Sequence, residues 1–238
     1  DKKPKMIVAP VLLSWESGVG SWEKKTPNSS LPTFFQLMQS QETMALTASA
    51  CASLHYNRPI LCSGANLAYE KSAFLAVNGF EGIDQTATGD DVFLMLKFYK
   101  RFPKEINYLK SNDAIVFTRP EKSLSDALSQ RKRWASKSFS YGFSHVTWIA
   151  ALIFFTNFLI LLSGILSVIN SRFVLVLITC FSTKLLVDFM LLYSASLFFG
   201  KKLHFFAFVL ASLIYPVYVS MIGLLYPFGN YSWKDRQL

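Results

Sequence analysis

The feature that most constrains this chain is where its charges fall. Of its 39 charged residues, 31 lie in positions 1–145 and only eight in the remaining 93. The run Trp148–Ile169 contains no charge in 22 residues. About 20 apolar residues suffice for a helix to cross the hydrocarbon core of a bilayer. Phe173–Phe199 and Phe205–Phe228 are two further apolar stretches, the first interrupted by Lys184 and Asp188. The chain is therefore expected to be a polar domain over residues 1–145, followed by a membrane region over 146–238 with spans near 148–169, 173–199 and 205–228. Trp148, Phe173, Tyr226 and Trp233 stand near the ends of these stretches, as interfacial aromatic anchors do.

The formal net charge is +9. The excess lies beside the apolar stretches, as in the cytoplasmic flanks of membrane proteins. That logic places the polar domain and Lys201-Lys202 on the cytoplasmic side. No basic-aromatic platform or nucleic-acid motif accompanies the charge, so nucleic acid is not an expected partner. Cys51, Cys62 and Cys180 are scattered and odd in number, which argues against a disulfide framework and for a reducing compartment. His55, His145 and His204 are far apart and form no ligand spacing, so no protein-built metal site is expected. The first residue is Asp1 and no signal peptide follows it. The start is expected to lie within a longer protein.

Strand and helix signals alternate through the polar part, which suggests an α/β domain. Met6–Ala9 reads as a buried strand stopped by Pro10, with Val11–Leu13 continuing beyond a kink. Residues 14–33 have loop composition. A helix is expected from about Thr33 to Leu54, a strand at Leu67–Tyr69, and a short helix from Lys71 to Val77 ended by Asn78-Gly79. After a glycine-containing loop at 80–89, a helix runs from Asp90 to about Phe102, where Pro103 stops it. Asn107–Leu109 and Ala114–Phe117 are strand candidates. Ser123 with Asp126 resembles a capping box. It opens a helix carrying Leu124, Ala127, Leu128, Arg131 and Ala135 along one stripe.

Three groups could carry chemistry. Asp90-Asp91 opens a helix after a loop, so one carboxylate could cap it while the other complements its dipole. Equally, one could be a general base aimed into a cleft, as needed when an acceptor hydroxyl must lose its proton during attack on an anomeric carbon. Gln130, Arg133 and Trp134 fall at i, i+3 and i+4, which puts them on one helix face. Arg pairs with phosphate oxygens, Trp offers a flat surface to a sugar ring, and Gln both donates and accepts. The same helix could instead lie on anionic lipid with Trp134 as its anchor. Ser63-Gly64-Ala65-Asn66 is a tight backbone passage, either a simple turn or a place where backbone approaches a ligand, with Asn66 as a polar contact. Lys184 and Asp188, at i and i+4 in an apolar stretch, could be a mutually neutralising pair packed on another helix, or the wall of a polymer or lipid path.

Taken in order, Ser63-Gly-Ala-Asn-Leu-Ala-Tyr69, Phe74 through Asn78-Gly-Phe80, Gly89-Asp-Asp91 and Gln130-x-x-Arg133-Trp134 resemble family 2 glycosyltransferases. The likeness is to the C-terminal portion of the membrane synthases of cellulose, hyaluronan and poly-N-acetylglucosamine. The resemblance covers roughly Met6 to Trp148. It implies the C-terminal part of a GT-A type, Rossmann-like catalytic domain followed by transmembrane helices, in the plasma (inner) membrane. It makes Asp91 the catalytic base, with Asp90 where Glu is more usual. Gln130, Arg133 and Trp134 become the residues that hold donor diphosphate and acceptor sugar, with Gly64 and Asn66 lining the substrate site. It implies a nucleotide-sugar donor with Mg²⁺ or Mn²⁺, and a glycan or lipid acceptor.

The family's Asp-x-Asp motif is absent from the sequence. The expectation is thus a fragment that lacks the donor-binding half, needs that missing N-terminal half as partner, and is inactive alone. Within the class, processive polymer synthesis competes with transfer of a single sugar to a lipid. Outside it stands a non-catalytic membrane anchor, which leaves the co-occurrence of Gly-Asp-Asp and Q-x-x-R-W without a reason.

Overall fold

In a computed structural model of the chain, residues 3–14, 32–82, 89–140, 144–225, 232–233 and 236–237 are described. They divide into two units. The first holds Asp1–Pro120 with Ala195–Lys202, and the second Glu121–Ser194 with Leu203–Leu238.

The first unit mixes strands and helices. β1 (Met6–Val8) and β2 (Val11–Leu13) are one strand direction broken at Pro10. Proline has no N–H for the ladder and is fixed in φ, so the pairing changes there. β1 lies between β3 (Leu67–Tyr69), which is antiparallel to it, and β4 (Ile106–Tyr108), which is parallel. β2 pairs in parallel with β5 (Val116–Thr118). Each strand has only three residues, so side-chain burial and the helices around them must supply most of the order.

α1 (Phe34–His55) packs on β2 and β4. The Thr47 hydroxyl donates to the Val11 carbonyl at 2.7 Å, tying helix to strand. Thr33 and Gln36 start α1 with a reciprocal capping box. The Ser123–Asp126 pair expected to do the same for α4 (Leu124–Ser140) does only half of it. The Asp126 N–H donates to the Ser123 hydroxyl, but the hydroxyl donates back to the Asp126 carboxylate at 2.6 Å. Aspartate is one methylene shorter than the usual glutamate, and here its carboxylate takes the cap's own hydroxyl as partner.

α2 (Lys71–Ala76) ends in a left-handed turn at Asn78 and Gly79. A Cβ on Gly79 would stand 2.6 Å from the Phe74 ring, so this position accepts glycine alone without rearrangement. Phe74 stacks on Tyr69 at 5.2 Å and meets Phe80 edge-on at 5.3 Å. α3 (Asp90–Arg101) buries Val92, Leu94, Met95 and Phe98, which with Met6 and Val8 form the core. Its two aspartates lie in the first turn and Lys100 and Arg101 in the last, both matched to the helix dipole. The Lys97 ammonium donates to the carbonyls of Asn78, Gly79 and Glu81 at 3.4, 2.7 and 3.0 Å, holding the 78–81 turn onto α3.

In the second unit, α5 (His145–Ile169), α6 (Arg172–Phe199) and α7 (Phe205–Leu225) follow α4. All three are long and apolar enough to cross a membrane. The helices coincide to within a few residues with the apolar stretches expected as spans, and the end of the third stretch, at 226–228, lies outside the described residues. α5 packs chiefly on α7, with Gly223 against the Phe154 ring, where a Cβ would come within 2.4 Å. A two-stranded antiparallel pair, β6 (Ser232–Trp233) with β7 (Arg236–Gln237), follows. The end of α6 from Ala195 belongs to the first unit, where Lys110 lies over the Phe198 ring at 5.1 Å and Lys201 over the Phe117 ring at 5.0 Å.

Candidate active site

Two of the motifs meet in the first unit. Ser63 is extended, and Gly64–Asn66 forms a single 3-10 turn leading into β3. The Gly64 N–H points at α3 and donates to Oδ2 of Asp91 at 2.9 Å. Oδ1 of the same carboxylate accepts from the N–H of Val92 at 2.8 Å. Two backbone donors on two different segments thus fix the plane of the Asp91 side chain, while each oxygen keeps a further lone pair. Gly89, left-handed at φ 94° and buried, brings the chain into α3 without a side-chain cap. Asp91 is half-buried and Asp90 exposed. A half-buried carboxylate held by amides, with open lone pairs, can accept a proton from a hydroxyl brought to it.

Asn66 takes a different place. Its side-chain nitrogen donates to the carbonyls of Pro10 at 2.9 Å and Ala114 at 2.7 Å. Its own carbonyl accepts from the Ala9 N–H at 3.1 Å. These bonds satisfy backbone groups at the strand break, and so position the turn that presents Gly64.

The second unit carries the other motif on α4. Nε2 of Gln130 donates to Oε1 of Glu121 at 2.5 Å. Oε1 of Gln130 accepts from Nη1 of Arg131. The Arg131 guanidinium lies over the Trp134 ring, 4.6 Å from its centroid. Trp134 is 37% exposed and Arg133 half-buried. Gln130 and Trp134 are therefore joined through Arg131 and anchored by Glu121, neither of which the sequence singled out as functional. The signal for Arg131 was present: an arginine in an otherwise apolar stripe must have a partner, because a buried charge without one is costly.

Lys184 forms an ion pair with Asp188 on α6, and its ammonium lies 5.6 Å from the centre of the Tyr215 ring on α7. The pair is unevenly covered, with 14% of the Lys184 side chain exposed and 39% of that of Asp188. Among the described residues no three His, Cys, Asp or Glu side chains gather as a metal site. Asp90 and Asp91 alone do not make a cation site, so no step is assigned to a metal on these residues.

No curated protein and no solved structure matches the chain. A protein-family model does, over residues 28–232, a range that includes the Gly64–Asp91 junction, the α4 motif and the three apolar helices. The chain belongs to glycosyl transferase family group 2.

Proposed function

We propose that the chain supplies the base and acceptor side of an inverting transfer of a sugar from a nucleotide-sugar donor to a growing glycan or a lipid-linked acceptor at a membrane. Asp91 takes the proton of the acceptor hydroxyl as its oxygen bonds to the anomeric carbon and the donor diphosphate leaves. Arg133 and Gln130 steady the diphosphate, and Trp134 stacks on the acceptor sugar. The observation that carries this reading is the Gly64–Asp91 hydrogen bond, because a dipole-matching aspartate has no need of a second segment to orient it.

The GT-A fold and the divalent cation are part of the same reading. So is a cytoplasmic catalytic domain, supported by Lys201 lying against Phe117 in the first unit. Polymer synthesis is favoured over single transfer by the Q-x-x-R-W pattern, and the size of the product made by the intact enzyme separates the two. The main test is Asp91→Asn in the intact protein. Turnover is expected to fall by about two to four orders of magnitude, the contribution of a positioned general base. Affinity for the nucleotide-sugar should be unchanged. Near-normal turnover in this variant removes Asp91 from the mechanism.

A further inference from the structure

Arg131 is only 6% exposed on a helix whose neighbouring basic residues, Lys132 and Arg133, are both less buried. A charge at that depth is tolerated when its hydrogen bonds and its electrostatic partners are in place. Its guanidinium has both: the Gln130 carbonyl oxygen at its edge and the Trp134 ring against its face. At 4.6 Å from the ring centroid it is well within cation–π range. The spacing explains the stacking, since residues i and i+3 are neighbours on a helix surface. Gln130 cannot rotate freely either, because its amide nitrogen is held by Glu121. The result is a relay, Glu121 to Gln130 to Arg131 to Trp134, that ends against the indole ring of a residue that is itself 37% exposed.

We infer that Arg131 is a positioning residue for the acceptor sugar: it backs the Trp134 indole and fixes the plane on which a sugar ring stacks, with Gln130 and Glu121 holding the guanidinium in place. This rests on the reading of Trp134 as the acceptor platform. Arg131 itself has too little exposed surface to grip a diphosphate, so its contribution belongs to the acceptor and not to the donor.

The test is a double-mutant cycle in the intact enzyme, using Arg131→Met, Trp134→Ala and the pair together, with kcat and the KM of acceptor and donor measured separately. Arg131→Met is expected to raise the acceptor KM about three- to tenfold, the worth of a partly desolvated cation–π contact. The donor KM should not move, and kcat should stay within about twofold. In the Trp134→Ala background the same change should add less than about twofold, because its target is gone. Arg131→Lys keeps a charge but loses the planar fork, and should give an intermediate acceptor KM. If Arg131→Met does not fold, the Arg131→Lys shift and its loss in the Trp134→Ala background decide the question. An effect of equal size with and without Trp134, or a rise in donor KM instead, overturns the inference. A wild-type acceptor KM in Trp134→Ala alone is a different result: it overturns the platform reading of Trp134 on which the inference stands.

Discussion

Replacing Gly64 by proline removes one atom group of interest and little else. Ser63 sits at φ −123° and ψ 127°, the extended region that a residue before proline prefers. Gly64 opens a 3-10 turn and is outside the left-handed region, and the first position of a turn is where proline is tolerated. Its N–H makes one hydrogen bond, to Oδ2 of Asp91 at 2.9 Å. Proline deletes that donor and puts its ring Cδ on the same path, so the carboxylate must turn away. A hydrogen bond to a charged group contributes about 1.5–3 kcal/mol. If that orientation is used in the transition state, kcat should fall about ten- to a hundredfold, since about 1.4 kcal/mol is one order of magnitude. The loss should remain smaller than that of Asp91→Asn. Gly64→Ala is the control: its Cβ would lie 3.6 Å from Cβ and 3.7 Å from Oδ2 of Asp91, ordinary contact distances, and the N–H is kept. Transfer of labelled sugar by the intact enzyme, with donor affinity and thermal melting measured alongside, gives the readout. The reasoning fails if Gly64→Pro keeps wild-type kcat with an unchanged melt, or if Gly64→Ala is as damaging as proline.

Two further outcomes follow from the first unit. Lys97→Met strips the ammonium from three carbonyls of the 78–81 turn and should cost about 1 kcal/mol, with amide hydrogen exchange quickened at 78–82 and Lys97→Arg restoring part of the protection. Unchanged exchange there would show that the turn holds itself. Tyr108 has a buried hydroxyl with no hydrogen-bond partner among the described residues, and burial, then the nearby Cys51, pushes its pKa well above the ordinary tyrosine range. Below about pH 10 the phenol is protonated folded or unfolded; above it the unfolded chain sheds the proton first, so stability is lost as pH rises. Tyr108→Phe should therefore leave stability at pH 7 within about 1 kcal/mol of wild type and move the alkaline unfolding midpoint upward. A midpoint that stays put would contradict the burial argument.

The parts of the fold legible in the sequence were those set by local chemistry. Pro10 marked the strand break because a missing N–H interrupts any ladder, and Asn78-Gly79 marked the end of α2 because both adopt left-handed backbone. The helices at 34–55 and 90–101 and the three apolar helices followed from periodicity, stop signals and length. β4 and β5 were each displaced by one or two residues from the apolar runs that suggested them. Three-residue strands take their limits from pairing, here with β1 and β2, and pairing partners about a hundred residues away leave no local mark. The same holds for Asn66. Its type suggested a polar contact, but only the folded chain shows that the contacts are the carbonyls of Pro10 and Ala114.

The candidate site divides along the same line. Gly64 and Asp91 are 27 positions apart, and each alone has an ordinary local reading as a turn residue or a helix-dipole partner. What changes their meaning is direction: an N–H from a separate turn, aimed at the second oxygen of a carboxylate whose first oxygen already serves its own helix at the Val92 N–H. On α4 the sequence put Gln130, Arg133 and Trp134 on one face, correctly for spacing, yet passed over Arg131 because it lies on the apolar stripe. A helical wheel sorts residues by angle, and at that angle a charge looks like a misfit. The structure turns the misfit into the central member of the relay, because an arginine can bury its plane against an indole while its edge serves an amide. The general consequence is that a basic residue on the buried side of an otherwise regular amphipathic helix is worth reading together with the aromatic three or four positions away, before the exposed motif residues are assigned their roles.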